Sequence, residues 1–223
     1  MRRILGSVNR AYNFDEINAR VKSWRNIVQT AASDALFALD ASGRVHMAAF
    51  EPFTDRDYAE VLEWRDVRRL SVGMQHCVFG ITGDGRLLAA GHNCRKGPHG
   101  DICRVLSKQE GVVDVCTTGS EAENIYMAFR DGSVRDLDGN DMGIRSAACK
   151  CSGPAQVMDS YFAHRLCVKG EDGRLYLCAP GREPEPVFSG NGPVGSFAFG
   201  DRGYGASFLL AVAEQDAHSF TIL

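Results

Sequence analysis

The stretch Ile81-Thr-Gly-Asp-Gly-Arg-Leu-Leu-Ala-Ala-Gly91 sets an Asp-Gly pair between two short apolar runs, the signature of a tight turn joining two antiparallel strands. Working outward, the same anatomy recurs in LDASGRVHMAAF around Gly43, AFRDGSVRDL around Gly132 and KGEDGRLYLCA around Gly173. The glycines at 43, 85, 132 and 173 therefore recur every 41–47 residues, and a worn fifth copy, LLAVAEQDAHSFTIL, carries Asp216 at the same interval without its glycine. Glycine takes positive φ at no steric cost and Asp tolerates it, so the pairs Ser42-Gly43, Asp84-Gly85, Asp131-Gly132 and Asp172-Gly173 are expected to sit in left-handed turn positions.

The run before each turn, ALFAL, CVFGI, NIYMAF or RLCVK, is apolar at successive positions and does not alternate. Such strands are expected to be covered on both faces. Related segments precede them: WRNIVQTAAS from Trp24, WRDVRRLSVG from Trp64, GVVDVCTTGS from Gly111 and GPAQVMDSYF from Gly153. A polar loop and a short apolar segment follow, as in AEVL, CRVL, IRSA and EPVF. Each unit thus offers about four short strands, the size of one propeller blade, and Asp-Gly turns with no long 3.6-residue stripes disfavour helical repeats of similar length.

The expected fold is all-β, a β-propeller of about five four-stranded blades in one domain spanning residues 1–223. The units fall at about 24–63, 64–110, 111–151, 152–193 and 194–223, the last completed by 1–23. N-terminal strands near Ile4 and Leu5 are expected to pair with the C-terminal blade from Phe197 to Leu223, removing the exposed edges that make open arcs aggregation-prone.

The order Trp, apolar strand, Gly-x-x-His, apolar strand, Asp-Gly-Arg-Leu, then Gly-x-Asn resembles the repeat of the regulator of chromosome condensation family. WRDVRRLSVGMQHCVFGITGDGRLLAAGHN, residues 64–93, places Gly73, His76, Gly85, Gly91 and Asn93 where that repeat has them, and the fourth copy keeps His164 and Gly173 but has Tyr161 for the first glycine. Full-length rings of that family usually have seven blades, and this chain has room for about five. The resemblance implies a propeller and relatives that act as exchange factors for small GTPases, chromatin binders or enzyme inhibitors; only the scaffold carries over.

In 223 residues, 25 Lys and Arg against 28 Asp and Glu give a net charge of −3, which supplies no overall pull toward nucleic acid or anionic lipid. No apolar run is long enough for a membrane span or a signal-peptide core. A cytoplasmic protein is expected, its eight cysteines acting as buried thiols such as Cys77 and Cys167.

The loop HNCRKGPHGDIC holds His92, Cys94, His99 and Cys103, a spacing short enough to wrap a tetrahedral zinc, although His92 sits at a recurrent hairpin position and Cys103 beside an apolar segment. Cys149 and Cys151 would face opposite sides of a strand, which disfavours joint ligation. DLDGNDMG, from Asp136, has the Asp and Asn of a calcium loop but lacks its distal Glu and reads as a solvated turn. His76 and His164, at equivalent places in two copies, suit a structural bond to backbone better than catalysis, and Cys77 beside His76 makes a poor dyad because neighbours in a strand point apart.

No phosphate loop, zinc-protease helix or nucleophile elbow is present, so a non-catalytic scaffold offering rim loops to a protein partner is the expected function. Phe53, Tyr58, His92, Arg95, Lys96, His99, Tyr161 and Tyr204 are its candidate binding residues; Tyr12 and Phe14 are further loop aromatics, and wedging between blades is the competing role for such side chains. A lectin-like propeller binding small sugars is the alternative, and it calls for matching polar and aromatic residues in every unit, whereas these loops differ in length and composition.

Overall fold

The computed structural model describes residues 14–32, 35–50, 55–73, 77–91, 94, 102–118, 124–152, 166–170, 172–178, 182–186, 194–201, 207–213 and 220–222. The chain divides into two compact units, Met1–Lys108 and Gln109–Leu223, with the division at the edge of a sequence repeat. The expected pairing of Ile4 and Leu5 falls outside the described residues.

The first unit contains helix α1 (Phe14–Val21), then strands β1 (Ile27–Ala32), β2 (Ala35–Asp40) and β3 (Val45–Ala49) in one antiparallel sheet ordered β1-β2-β3. A 3-10 segment, Asp55–Glu63, leads to a second sheet of the same order, β4 (Val67–Gly73), β5 (Cys77–Thr82) and β6 (Leu87–Ala90), followed by helix α2 (Ile102–Leu106). All six residues of β5 are buried, and four of six in β2, as their unbroken apolar runs require.

The second unit holds β7 (Val112–Thr118), β8 (Asn124–Phe129), β9 (Ser133–Asp136), β10 (Asp141–Ser152), β11 (Leu166–Gly170), β12 (Leu175–Cys178) and β13 (Glu185–Pro186) in one seven-stranded antiparallel sheet. Two hairpin units share β10, whose first part pairs with β9 at Asp141 and Arg145 and whose last part pairs with β11 at Cys151 and Ser152. A further three-stranded sheet, β14 (Val194–Asp201), β15 (Ser207–Ala213) and β16 (Phe220–Ile222), carries the worn fifth copy as an antiparallel hairpin.

Three expectations change. AEVL and CRVL are not strands: Ala59–Leu62 lies in the 3-10 segment and Cys103–Leu106 in α2. Tyr58 and Val61 are both buried three residues apart, as are Ile102 and Leu106 four apart, so each short apolar run satisfies a helical face. The fourth copy takes its first strand from the end of β10, upstream of GPAQVMDSYF, whose residues lie outside those described.

The turns also differ in detail. Gly43, Gly85, Gly132 and Gly173 have φ of +83°, +87°, +85° and +77°, but the described residues with positive φ other than glycine are Asn26 and Asp66, not the turn Asp. Each glycine amide donates to the carbonyl three residues back, for instance Gly43 to Asp40 at 3.0 Å and Gly85 to Thr82 at 2.9 Å, which makes a three-residue hairpin loop with a glycine bulge. A turn carboxylate serves as a side-chain acceptor instead: Asp84, Asp131 and Asp172 next to their glycines, and Asp40 three residues before Gly43.

A second repeated device lies at the start of the first strands. Asn26, Asp66 and Gly111 occupy the same left-handed position, with φ of 55°, 54° and 71°, and their carbonyls accept from Ala41, Gly83 and Arg130 at the far end of the neighbouring strand. One residue pair later, the register shifts in all four of β1, β4, β7 and β14. Such bulges bend and twist a strand. Within the first unit the two sheets are joined where Val67 N–H donates to the Gly43 carbonyl at 3.0 Å and the Gln29 amide exchanges two bonds, 2.7 and 2.9 Å, with the Leu70 backbone. In the second, Val194 N–H donates to the Gly173 carbonyl at 2.8 Å, the same join made between the fourth and fifth repeats.

Candidate functional site

Antiparallel order gives every sheet two distinct ends. In each three-strand hairpin unit the glycine turn closes one end, and the connection from first to second strand, with the exit from the third, leaves from the other; in the seven-stranded sheet, where two units share β10, these ends alternate.

At the turn end, carboxylates are consumed locally. Asp40 accepts from the Ser42 hydroxyl at 2.6 Å, the Ser42 and Arg44 amides at 2.8 and 3.2 Å, and His46 Nε2 lies 2.8 Å from its other oxygen. The Ser42 hydroxyl foremost, then His46 and the two amides, hold its carboxyl well below the usual range against partial desolvation. The Trp24 ring lies beside His46, centroids 5.9 Å apart. In the second hairpin Asp84 accepts from the Thr82 hydroxyl and from Arg86 Nε at 2.9 Å, and its pKa falls chiefly through Thr82.

The third and fourth turns repeat the clamp with other donors. Asp131 accepts from the Ser133 hydroxyl at 2.6 Å and amide at 2.9 Å, with Arg135 at 3.2 Å, and Ser133 is the main cause of its lowered pKa. The Arg135 guanidinium also lies 4.9 Å over the Phe129 ring. Asp172 accepts from the Tyr176 hydroxyl at 2.5 Å and the Arg174 amide at 3.0 Å; this pairing lowers the Asp172 pKa and raises that of Tyr176. His46, Arg135 and Tyr176 occupy equivalent strand positions, so three chemistries perform one task.

The DLDGNDMG segment, which turns β9 into β10 at the end opposite the Gly132 turn, is bonded in the same way. Asp136 accepts from the Asn140 amide at 2.8 Å and side chain at 2.9 Å, Asp141 from the Gly143 amide at 2.8 Å, and the turn reading of this stretch fits these bonds.

At the opposite end, Tyr58 is not a surface anchor. It is 1 % exposed and packs edge-on against Phe37 at 5.3 Å, in the core with Val61 and Trp64. Phe53, His92, Arg95, Lys96, His99, Tyr161 and Tyr204, like Tyr12, His76 and His164, lie outside the described residues. In sequence, Phe53 follows β3, residues 92–99 follow β6, Tyr161 lies between β10 and β11, and Tyr204 between β14 and β15.

Of the four proposed zinc ligands, Cys94 and Cys103 are described and they meet: the Cys94 thiol hydrogen-bonds to Cys103, and also to Cys77. Cys94 and Cys77 are fully buried and Cys103 is half-buried, its thiol 3.4 Å from the Ala89 carbonyl. Among the described residues, no group of three His, Cys, Asp or Glu is placed to hold a metal ion. The described cysteines 77, 94, 103, 116, 167 and 178 are all thiols outside any disulfide.

The sequence places Cys77 in an apolar run and offers no link to Cys94, which lies 17 residues away. Sequence reasoning also passed over the left-handed Asn26, Asp66 and Gly111, although an Asn, Asp or Gly two places after each Trp position was there to be read.

No protein-family model matches the chain, and no curated protein matches it. Among solved structures it is similar to the crystal structure of BamB from Moraxella catarrhalis, with a TM-score of 0.38 and 15% identity over 89% of this chain. The chain spans 60% of that protein's length. No described helix is long and apolar enough to cross a membrane.

Proposed function

We propose that the chain is a non-catalytic, cytoplasmic binding scaffold that presents the variable connections of its hairpin units to a protein partner. In this reading the hairpin units are blades of a propeller of about five units, the first two with a helical segment in place of the fourth strand, related to the regulator of chromosome condensation repeat, with the strands near Ile4 and Leu5 completing the blade of β14–β16.

One observation carries the proposal: the two ends of each hairpin unit differ in kind. The turn end is uniform, with three-residue loops, glycine bulges and carboxylates bonded inward. The opposite end varies from repeat to repeat, its first-to-second-strand connections running from residues 33–34 to 74–76, 119–123 and 153–165. A rigid frame with divergent connections suits recognition of one asymmetric partner. Repeated sugar pockets would call for connections that match.

The test is affinity capture with the full chain. One protein bound at one-to-one stoichiometry is expected, retained by Arg86→Ala at the turn end and lost in the double variant Arg95→Ala, Lys96→Ala. Multivalent binding on a glycan array, or loss of capture only in the turn-end variant, would replace this reading with the lectin-like one or reverse the binding end.

A further inference from the structure

Three thiols converge at the connection end of the second sheet. Cys77 opens β5, Cys94 lies shortly after β6, and Cys103 stands on α2. The β5–β6 register brings the start of one strand to the end of the other through Val78 and Ala90, and the Cys103 thiol reaches the β6 backbone at Ala89. Cys94 is the hub, bonded to both other thiols. Thiols touching in this way, with one of them half-buried, are suited to thiol–disulfide exchange.

We propose that Cys94 and Cys103 are a reversible dithiol–disulfide pair, with Cys103 as the point of attack on a small-molecule disulfide and Cys94 as the resolving thiol. In the first step the Cys103 thiolate forms a bond to one sulfur of the small disulfide and the other sulfur leaves as a thiolate, which takes up the proton lost from Cys103. In the second, Cys94 gives up its proton and its sulfur displaces the small thiolate from Cys103, which leaves carrying that proton. The protein loses two electrons and two protons; the small disulfide gains both and becomes two thiols.

Burial assigns the roles, since Cys103 is the thiol of the three with solvent exposure. A bond between 94 and 103 would tie α2 to the end of β6 and fix the span of the connection carrying Arg95, Lys96 and His99. Disulfides of cytosolic proteins are typically transient and redox-sensing, which fits a pair built from non-disulfide thiols.

The folded full chain is incubated with oxidised glutathione, alkylated under non-reducing conditions and mapped by mass spectrometry. A Cys94–Cys103 linked peptide is expected, lost on treatment with dithiothreitol. Cys94→Ala should stop at one glutathione on Cys103, Cys103→Ser should take up none at Cys94, and Cys77→Ala should still form the bond; circular dichroism checks that each variant is folded. A wild-type chain that stays fully reduced, a bond through Cys77 instead, or stoichiometric zinc blocking both thiols would overturn the proposal.

Discussion

In both units the third strand of a hairpin sheet has an edge to protect, and the two units protect it differently. In the first, the 3-10 segment Asp55–Glu63 packs against β3 and α2 packs against β6. In the second, β10 pairs directly with β9 after a turn at Gly139. An unpaired edge invites association with other chains, and a helix laid over it or another strand paired to it removes the hazard. DRDYAEVLE buries residues at helical spacing, whereas LDGND makes a turn tight enough to reverse the chain at once. The hairpin is therefore the constant part of this repeat, and what covers it is decided locally.

The largest effect is expected from removing a helical cover. Tyr58→Ala deletes a fully buried ring that meets Phe37, Val61 and Trp64, and is expected to cost about 3–5 kcal/mol in urea unfolding, the range for truncating large core aromatics. Hydrogen exchange should rise in β3 and leave β9 protected. A loss below about 1 kcal/mol would mean that the helical segment does not hold the sheet.

Glycine substitutions separate the join between sheets from the turn that supplies a strand cover. A Cβ at Gly43 would stand 3.0 Å from the Asp66 Cα and 3.2 Å from the Val67 nitrogen, on top of the strain of φ +83°. At Gly139, φ is +87° but nothing lies within 4 Å. Gly139→Ala should therefore cost about 1 kcal/mol, the left-handed strain alone, and Gly43→Ala more, about 2–3 kcal/mol. Equal losses in chemical denaturation would show that the close approach at Gly43 relaxes freely.

The hairpins were legible in the sequence because their information is local: a Gly that needs positive φ, a Ser or Asp before it and apolar runs on either side, repeated at a fixed interval. The covers were not, because four-residue apolar runs such as AEVL and CRVL fit a strand as well as a helical turn, and the decision rests on Tyr58 and Ile102, which lie outside those runs. Tyr58 was misplaced for the same reason: its polar neighbours suggest exposure, and only its pairing with Val61 on one face buries it. At the candidate site, the sequence linked Cys94 to Cys103 by spacing, but Cys77 joins them through strand pairing, which no short motif records.

The turn end provides a pH test in both units. Asp40, Asp84, Asp131 and Asp172 all have carboxyl pKa values below the ordinary one, so the folded state binds fewer protons than the unfolded state in acid. Their contribution is complete above the unfolded carboxylate value of about 4 and is lost as pH falls through the lower folded values. Asp40→Asn should lower the urea midpoint at neutral pH and flatten its acid dependence; a midpoint that falls as steeply in the variant as in the wild type would remove Asp40 from this role.

The smallest expected effect sharpens the description of the helical covers. Arg65 donates to the carbonyls of Leu62 and Trp64 at 2.8 and 2.7 Å, closing the C-terminal end of the 3-10 segment, and Arg25 does the same after α1 through Lys22 and Trp24. The second unit has Glu110 at the corresponding place, two residues ahead of β7, where no such donor can act. Arg65→Ala should cost about 1 kcal/mol, the worth of exposed bonds to backbone, and raise hydrogen exchange in the segment it closes. Because the cover is held by Tyr58 and Val61 and only fastened by Arg65, the exchange should rise without loosening β3; if β3 loosened too, the cap and the core contact would be one cooperative element.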